Sequence, residues 1–232
     1  FKEEYQKTKG AVYTPDYIVR AVCAKTLNPL MLKKSVAEIK KLKILDPSCG
    51  SGSFLLGIFD FLSDFLVEKY SKENLSEKDR RSFWTNPRTG KSQMRVFAKR
   101  ELINNCICGV DIDPQAVEIS RLSLSLKALE SASVEPIAML ELGLLDSILL
   151  DGIGQNIKLG NSLVDSRINT YFDDLSQNDT AALRNLKIFD WKENFKFLND
   201  KDGFDAIVGN PPYIEIKHYK KNSPLMHKYL SD

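Results

Sequence analysis

The chain has 232 residues, 43% hydrophobic and 28% charged, with 33 Lys and Arg against 31 Asp and Glu. That composition is of an ordinary globular protein and excludes a disordered or low-complexity one, while a net charge of +2 leaves a nucleic-acid partner to be argued from charge distribution alone. No apolar run reaches the roughly 18 residues that cross a bilayer, because Asp60 and Asp64 interrupt the longest, and the polar start Phe1-Lys2-Glu3-Glu4 has neither a secretory core nor an initiator Met; a cytoplasmic piece of a longer chain, without a membrane partner, is expected.

Thr14-Pro15-Asp16 opens the first expected helix. Thr14 suits the N-cap, and Pro15 suits the first helical position, where a missing N–H costs nothing. Ile18, Val22 and Leu27 follow at helical spacing. Leu42 to Leu45 then reads as a short strand, Ser48-Cys49-Gly50-Ser51-Gly52 as a loop, and the apolar stretch from Phe54 as a helix ending near Tyr70-Ser71.

Residues 71–103 read as a charged insertion, partly disordered without a partner, with turn signals at Asn86-Pro87 and Thr89-Gly90. Lys78, Arg80, Arg81, Arg88, Lys91, Arg95, Lys99 and Arg100 crowd this segment. Phosphate contact and a solvated helix-and-loop insertion account for them equally well.

Ile107 to Ile112 reads as a second strand. Asp113-Pro114 caps a helix in which Ile119, Leu122, Leu126 and Leu129 keep helical spacing. A third strand is expected at Ile157-Lys158-Leu159, a helix around Ala181 to Leu186, and a fourth strand at Phe204 to Val208. Strands alternating with helices imply a mostly parallel, doubly wound α/β sheet, with ligands at the carboxyl ends of its strands.

Cys23, Cys49, Cys106 and Cys108 make no C-x-x-C pair, and His218 and His227 are the only histidines. Metal ligation is therefore not expected. The thiols read as small buried hydrophobes, with Cys106 and Cys108 sharing one face of a strand.

Two stretches carry chemistry. Gly50-Ser51-Gly52 after a strand ending in Asp46 lets the backbone approach a ligand closely. Leu55 stands where the dinucleotide pattern needs its third glycine, which disfavours a nicotinamide or flavin cofactor. Asp111, at the tip of the second strand, has two acceptor oxygens for a ribose diol, and Asp113 leaves it free by taking the capping role. Asn210-Pro211-Pro212-Tyr213 follows the fourth strand. Two prolines fix φ near −65° and stiffen the loop, so the Asn210 side-chain oxygen and the Pro211 carbonyl are held as paired acceptors for the two N–H bonds of a planar amino group.

Asp46-Pro47-Ser48-Cys49-Gly50-Ser51-Gly52-Ser53-Phe54-Leu55 and Asn210-Pro211-Pro212-Tyr213 resemble the cofactor and catalytic motifs of N6-adenine-specific DNA methyltransferases, in particular the type I and fused type IIG restriction–modification group. The resemblance covers residues 8 to 216. It implies a Rossmann-like class I methyltransferase fold, prokaryotic and cytoplasmic, with S-adenosylmethionine as cofactor and a flipped-out adenine of double-stranded DNA as substrate.

By the resemblance, Tyr13 and Thr14 hold the methionine end of the cofactor. Asp46, Pro47, Cys49, Gly50, Gly52 and Phe54 form its loop, Asp111 takes the ribose, Ile112 packs on its adenine, and Asn161 and Ser162 face that ring. Asn210, Pro211, Pro212 and Tyr213 are the catalytic group, with Tyr213 stacking on the extruded base. Residues 1–40 form an N-terminal helical segment, 41–216 the core, and 217–232 the start of a C-terminal part. The resemblance further leads one to expect the sheet's later strands, a target-recognition domain and a nuclease domain or subunit in other parts of a longer polypeptide. A glutamine-modifying or RNA adenine methyltransferase shares the tetrapeptide and stays open as an alternative, as does a DNA-modification subunit with an idle site.

Overall fold

The computed structural model describes residues 14–73, 75–130, 152–171, 186–213 and 224–231. The expected helix around Ala181 to Leu186 and the site residue Tyr13 lie outside them, apart from Leu186.

Helix α1 (Asp16–Met31) and the short α2 (Val36–Ile39) precede β1 (Ile44–Asp46). Then come α3 (Ser53–Lys72), α4 (Glu77–Arg80), β2 (Phe83–Thr85), β3 (Ser92–Met94), α5 (Val96–Cys106), β4 (Ile107–Asp111) and α6 (Pro114–Leu129). After β5 (Ile157–Leu159) and a 3-10 turn at Ser166–Tyr171 come α7 (Trp191–Asn194), a second 3-10 turn at Lys196–Asn199, β6 (Ala206–Ile207) and α8 (Pro224–Ser231).

Four strands form a parallel sheet in the order β5-β4-β1-β6. All four lie where the hydrophobic pattern placed them. The order puts β1 and β4 side by side, Ile44 opposite Ile107 and Asp46 opposite Gly109, so their two carboxyl ends open on the same edge.

Side chains alternate across a strand, and the two faces carry separate cores. Ile44 and Ile107 face a core built with Val19, Cys23 and Leu27 of α1, Leu55, Ile58, Leu62 and Leu66 of α3, and Leu102 and Ile103 of α5. Leu45, Cys108 and Val110 face the other, closed by Phe189 and Phe195 with Trp191, Phe197 and Phe204. Among the described residues this second layer is two short turns and an aromatic cluster, with Phe195 edge-on to Phe204 at 5.4 Å between ring centroids. The doubly covered sheet is as expected.

Four local expectations are corrected. Pro15, not Thr14, occupies the N-cap of α1, and no side chain caps that helix. Cys106 ends α5 rather than sharing a strand face with Cys108, and the two thiols belong to opposite cores. In α6 the buried face is Val117, Ser120, Leu124, Ser125 and Ala128, whereas Ile119, Leu122 and Leu126 are exposed. In α1, Val19, Cys23, Leu27 and Met31 point inward and Ile18 outward.

The charged segment after α3 packs on the main core. Phe83 and Met94 pair across an antiparallel hairpin, and both are buried in the main core. Tyr70 near the end of α3 stacks on Phe83 at 4.6 Å. Asn86 builds the hairpin turn by accepting from the Arg88 and Thr89 N–H groups. Residues 96–103 belong to α5, whose Ala98, Leu102 and Ile103 are fully buried. Among the described residues no helix is long and apolar enough to cross a membrane.

Candidate active site

The loop after β1 is fixed by its glycines and by β4. Gly50 (φ +52) and Gly52 (φ +93) adopt left-handed conformations that side chains disfavour, and Gly52 stands at the start of α3. The Cys49 N–H donates to the Val110 carbonyl at 3.0 Å, which carries the loop alongside β4 beyond the last strand pair.

Asp111 binds the loop to its own strand. Its Oδ2 accepts from the Gly50 N–H at 2.7 Å and its Oδ1 from the Asp113 N–H at 2.8 Å. Asp113 caps α6 through the Gln115 N–H, as expected. A carboxylate oxygen has two lone pairs, so both Asp111 oxygens keep acceptor capacity toward a diol. Beside it, Ile112 is 47% exposed, an apolar surface available to a flat ring.

Asp46 is buried and accepts from the Ser48 N–H at 3.1 Å. Burial pushes its carboxyl up to about 7; the Ser48 N–H opposes the shift and the Asp111 charge adds to it. A Cβ on Gly209 would come within 2.5 Å of Asp46 Oδ1. The backbone just before Asn210 thus lies directly against the carboxylate that ends β1. The glycine loop and the tetrapeptide share this edge of the sheet.

Asn210 is half-buried, and its Nδ2 donates to Thr14 Oγ1 at 3.2 Å. Pro211 and Pro212 are exposed, and Tyr213 is 88% exposed, its ring open to solvent. The structure therefore gathers Thr14, Asp46, the glycine loop, Asp111 and Asn210 along one edge. Pro47 and Cys49 lie in the same loop, and Phe54 opens α3 facing the core. Burial pushes the Cys49 thiol up, with Asp46 and Asp111 adding to the effect; Cys23, Cys106 and Cys108 are pushed to about 12. All four thiols are held protonated.

Asn161 lies in the turn that follows β5. It is buried, its Oδ1 accepts from the Leu163 N–H at 3.1 Å, and its Nδ2 faces the Met226 sulfur of α8 at 3.8 Å. Its side chain closes its own turn against a third, small core of Val164, Ile168, Leu186 and Met226, while Ser162 beside it is half-buried.

Two further residues hold these loops. Ser120 of α6 is fully buried, and its Oγ donates to the Gly50 carbonyl at 2.7 Å. Lys187 has φ +50, unusual for a residue with a side chain. Its carbonyl accepts from the Asn161 N–H at 2.8 Å and its Nζ donates to the Ile112 carbonyl at 2.8 Å, joining the tips of β4 and β5. Nothing in the sequence near Lys187 signals this. Ser120 had one available signal, the polar residues recurring through α6.

The basic hairpin lies elsewhere. Helix α3 leaves the glycine loop and runs back along the sheet, so Tyr70 and its partner Phe83 stand about 25 Å away at 1.5 Å per residue. Lys40, ahead of β1, donates to Ser82 Oγ at 2.7 Å, which places the hairpin's base at the amino ends of the strands. Arg88 and Lys91, in and beside the hairpin turn, are exposed.

A parallel sheet with a glycine loop, a second-strand acid and an Asn-Pro-Pro-Tyr turn on one edge defines a Rossmann-like methyltransferase core. The family model for N-6 DNA methylases matches residues 1–140, and that for the Eco57I restriction-modification methylases matches residues 105–232. The chain belongs to the N-6 DNA methylases of restriction–modification systems.

Over 96% of its length it is 30% identical to the type II restriction enzyme and methyltransferase RM.Eco57I of Escherichia coli, covering 19% of that protein. Over 95% it is 28% identical to the adenine-specific methyltransferase PglX of Streptomyces coelicolor, covering 16% of it. Among solved structures it is similar to a nuclease-deletion mutant of the type ISP restriction-modification enzyme LlaGI in complex with a DNA substrate mimic. That likeness has a TM-score of 0.46 and 19% identity, over 90% of this chain and 13% of the other. The chain spans less than a fifth of the length of these relatives.

Proposed function

We propose that these residues are the catalytic core of a site-specific DNA adenine N6-methyltransferase that uses S-adenosylmethionine, residues 41–216 forming the core and 1–40 supplying Thr14. The observation that carries the reading is Asn210 on the same strand edge as Asp111 and the glycine loop, with its amide held by Thr14.

The described residues fit the cofactor. The left-handed glycines leave the loop without side chains at its bends, the Ser48 hydroxyl is buried with no hydrogen-bond partner among the described residues, and Asp111 and Ile112 offer a diol acceptor beside an apolar face. In this reading Asp46, Pro47, Cys49, Gly50, Gly52 and Phe54 shape the loop, and Asn161 and Ser162 form the far wall. When bound, the cofactor supplies an electrophilic methyl group on a sulfonium.

The protein's part is to make a poor nucleophile reactive. The amino nitrogen of adenine shares its lone pair with the ring. Accepting both of its N–H bonds, at Asn210 Oδ1 and the Pro211 carbonyl, favours a tetrahedral nitrogen with a localised lone pair. The rigid prolines hold both acceptors before the base arrives, so no reorganisation is needed in the transition state. The exposed Tyr213 ring receives the base. Stacking returns about 1–3 kcal/mol of the few kcal/mol that extrusion from the duplex costs. Target recognition, and any nuclease, are assigned to other parts of the polypeptide.

The test is tritium transfer from S-adenosylmethionine in the full-length polypeptide, with unmethylated mixed-sequence DNA, RNA and protein offered separately. Transfer to DNA adenine alone, reduced at least about 100-fold by Asn210→Ala, is the expected result. Transfer to protein or RNA, or an unimpaired Asn210→Ala variant, contradicts it.

A further inference from the structure

We propose that Thr14 is a positioning residue for catalysis: its hydroxyl turns the Asn210 carboxamide so that the oxygen faces the substrate. The inference rests on the reading of Asn210 as an acceptor for the substrate amino group. The two residues lie 196 positions apart, yet Asn210 Nδ2 donates to Thr14 Oγ1 at 3.2 Å. Thr14 makes no cap for α1, because Pro15 stands at that position and no side-chain capping bond is present. The hydroxyl is therefore committed to Asn210 rather than to the helix it precedes.

A carboxamide has an acceptor end and a donor end of nearly the same shape. With the oxygen outward it accepts an amino N–H. With the nitrogen outward, donor meets donor and the substrate nitrogen is not activated. Something behind the amide must prefer one arrangement. In the structure the Thr14 oxygen accepts from Nδ2, which fixes the plane of the amide and leaves Oδ1 on the side away from Thr14, the productive arrangement. A neutral hydrogen bond of this kind favours the held side chain over a free one by about 2–13-fold.

The family resemblance places Thr14 against the methionine end of the cofactor, and the two roles have different kinetic signatures. A cofactor contact changes KM for S-adenosylmethionine. Orientation of Asn210 changes kcat at saturating cofactor.

The experiment measures kcat and KM in the full-length polypeptide with tritiated S-adenosylmethionine and unmethylated mixed-sequence DNA. Thr14→Val is expected to lower kcat by about 2–13-fold with KM for S-adenosylmethionine within about twofold of wild type. Thr14→Ala carries the same expectation, and Thr14→Ser restores most of the loss. In an Asn210→Asp background both side-chain oxygens accept and no orientation has to be chosen, so adding Thr14→Val lowers kcat by less than it does in the wild type. A raised KM at unchanged kcat overturns the proposal in favour of cofactor contact. So does an equal fall of kcat in both backgrounds, or an Asn210→Asp variant with no transfer at all. Full transfer by Asn210→Ala instead removes the underlying reading, which separates the two failures.

Discussion

Gly209 is where the Asn-Pro-Pro-Tyr turn meets the end of β1. Any side chain there runs into Asp46 Oδ1. Gly209→Ala is expected to lower the thermal unfolding midpoint, at a cost of about 1–3 kcal/mol, and to lose transfer activity by displacing Asn210. A variant with wild-type midpoint and rate would contradict the packing. Asp46 itself sets a pH dependence. A carboxyl raised to about 7 holds its proton more tightly in the folded state. Its contribution is complete below the unfolded value near ~3.9 and is lost as pH rises through about 7, with a slope of at most about 1.4 kcal/mol per pH unit. Denaturation midpoints followed across that window should fall with rising pH in the wild type relative to Asp46→Asn. Parallel profiles would show that Asp46 keeps its ordinary pKa. None of this was legible from Asp46 and Gly209 as residues, because their contact depends on β6 pairing beside β1.

At the scale of elements, the strands were legible and the helix faces were not. Each strand is short, apolar and followed by a loop carrying Gly, Asp or Pro, so type and position could be read locally. In α6 the large side chains Ile119, Leu122 and Leu126 suggest a face that the structure leaves exposed, while two serines, Ser120 and Ser125, point inward. Ser120 is buried because it holds the Gly50 carbonyl, a constraint that residue hydrophobicity does not encode. Leu124→Ala should therefore cost about 2–5 kcal/mol, and Leu122→Ala no more than about 0.5 kcal/mol. Equal costs in chemical denaturation would reverse the assignment of faces. Thr14-Pro15 was a sound capping signal that failed for a similar reason: its hydroxyl is taken by Asn210. The hairpin was hidden by its charges, since only Phe83 and Met94 reveal that it packs on the core. Its placement also yields a test. Arg88→Gln with Lys91→Gln should leave the slope of log affinity against log salt for DNA unchanged, whereas each phosphate contact removed would reduce it by about 0.9.

For the whole molecule, a net charge of +2 says little about a DNA partner; the edge of the sheet says more. The glycine loop, Asp111, Thr14 and Asn210 come from four separated stretches of sequence, and the parallel order β5-β4-β1-β6 is what collects them. That order brings the β1 and β4 tips together and sets β6, with its Asn-Pro-Pro-Tyr turn, next to β1. The motifs could be read in sequence because each lies at the end of a strand. Their mutual contacts, such as Gly50 to Asp111 and Asn210 to Thr14, could not, because they cross elements. The central claim is that the loop and Asp111 form an S-adenosylmethionine site. Calorimetric titration of the full-length polypeptide with S-adenosylmethionine, beside its Asp111→Ala variant, tests it most directly. Saturable binding that is lost in the variant is the result the account predicts; equal binding by both proteins, or none by the wild type, would contradict it.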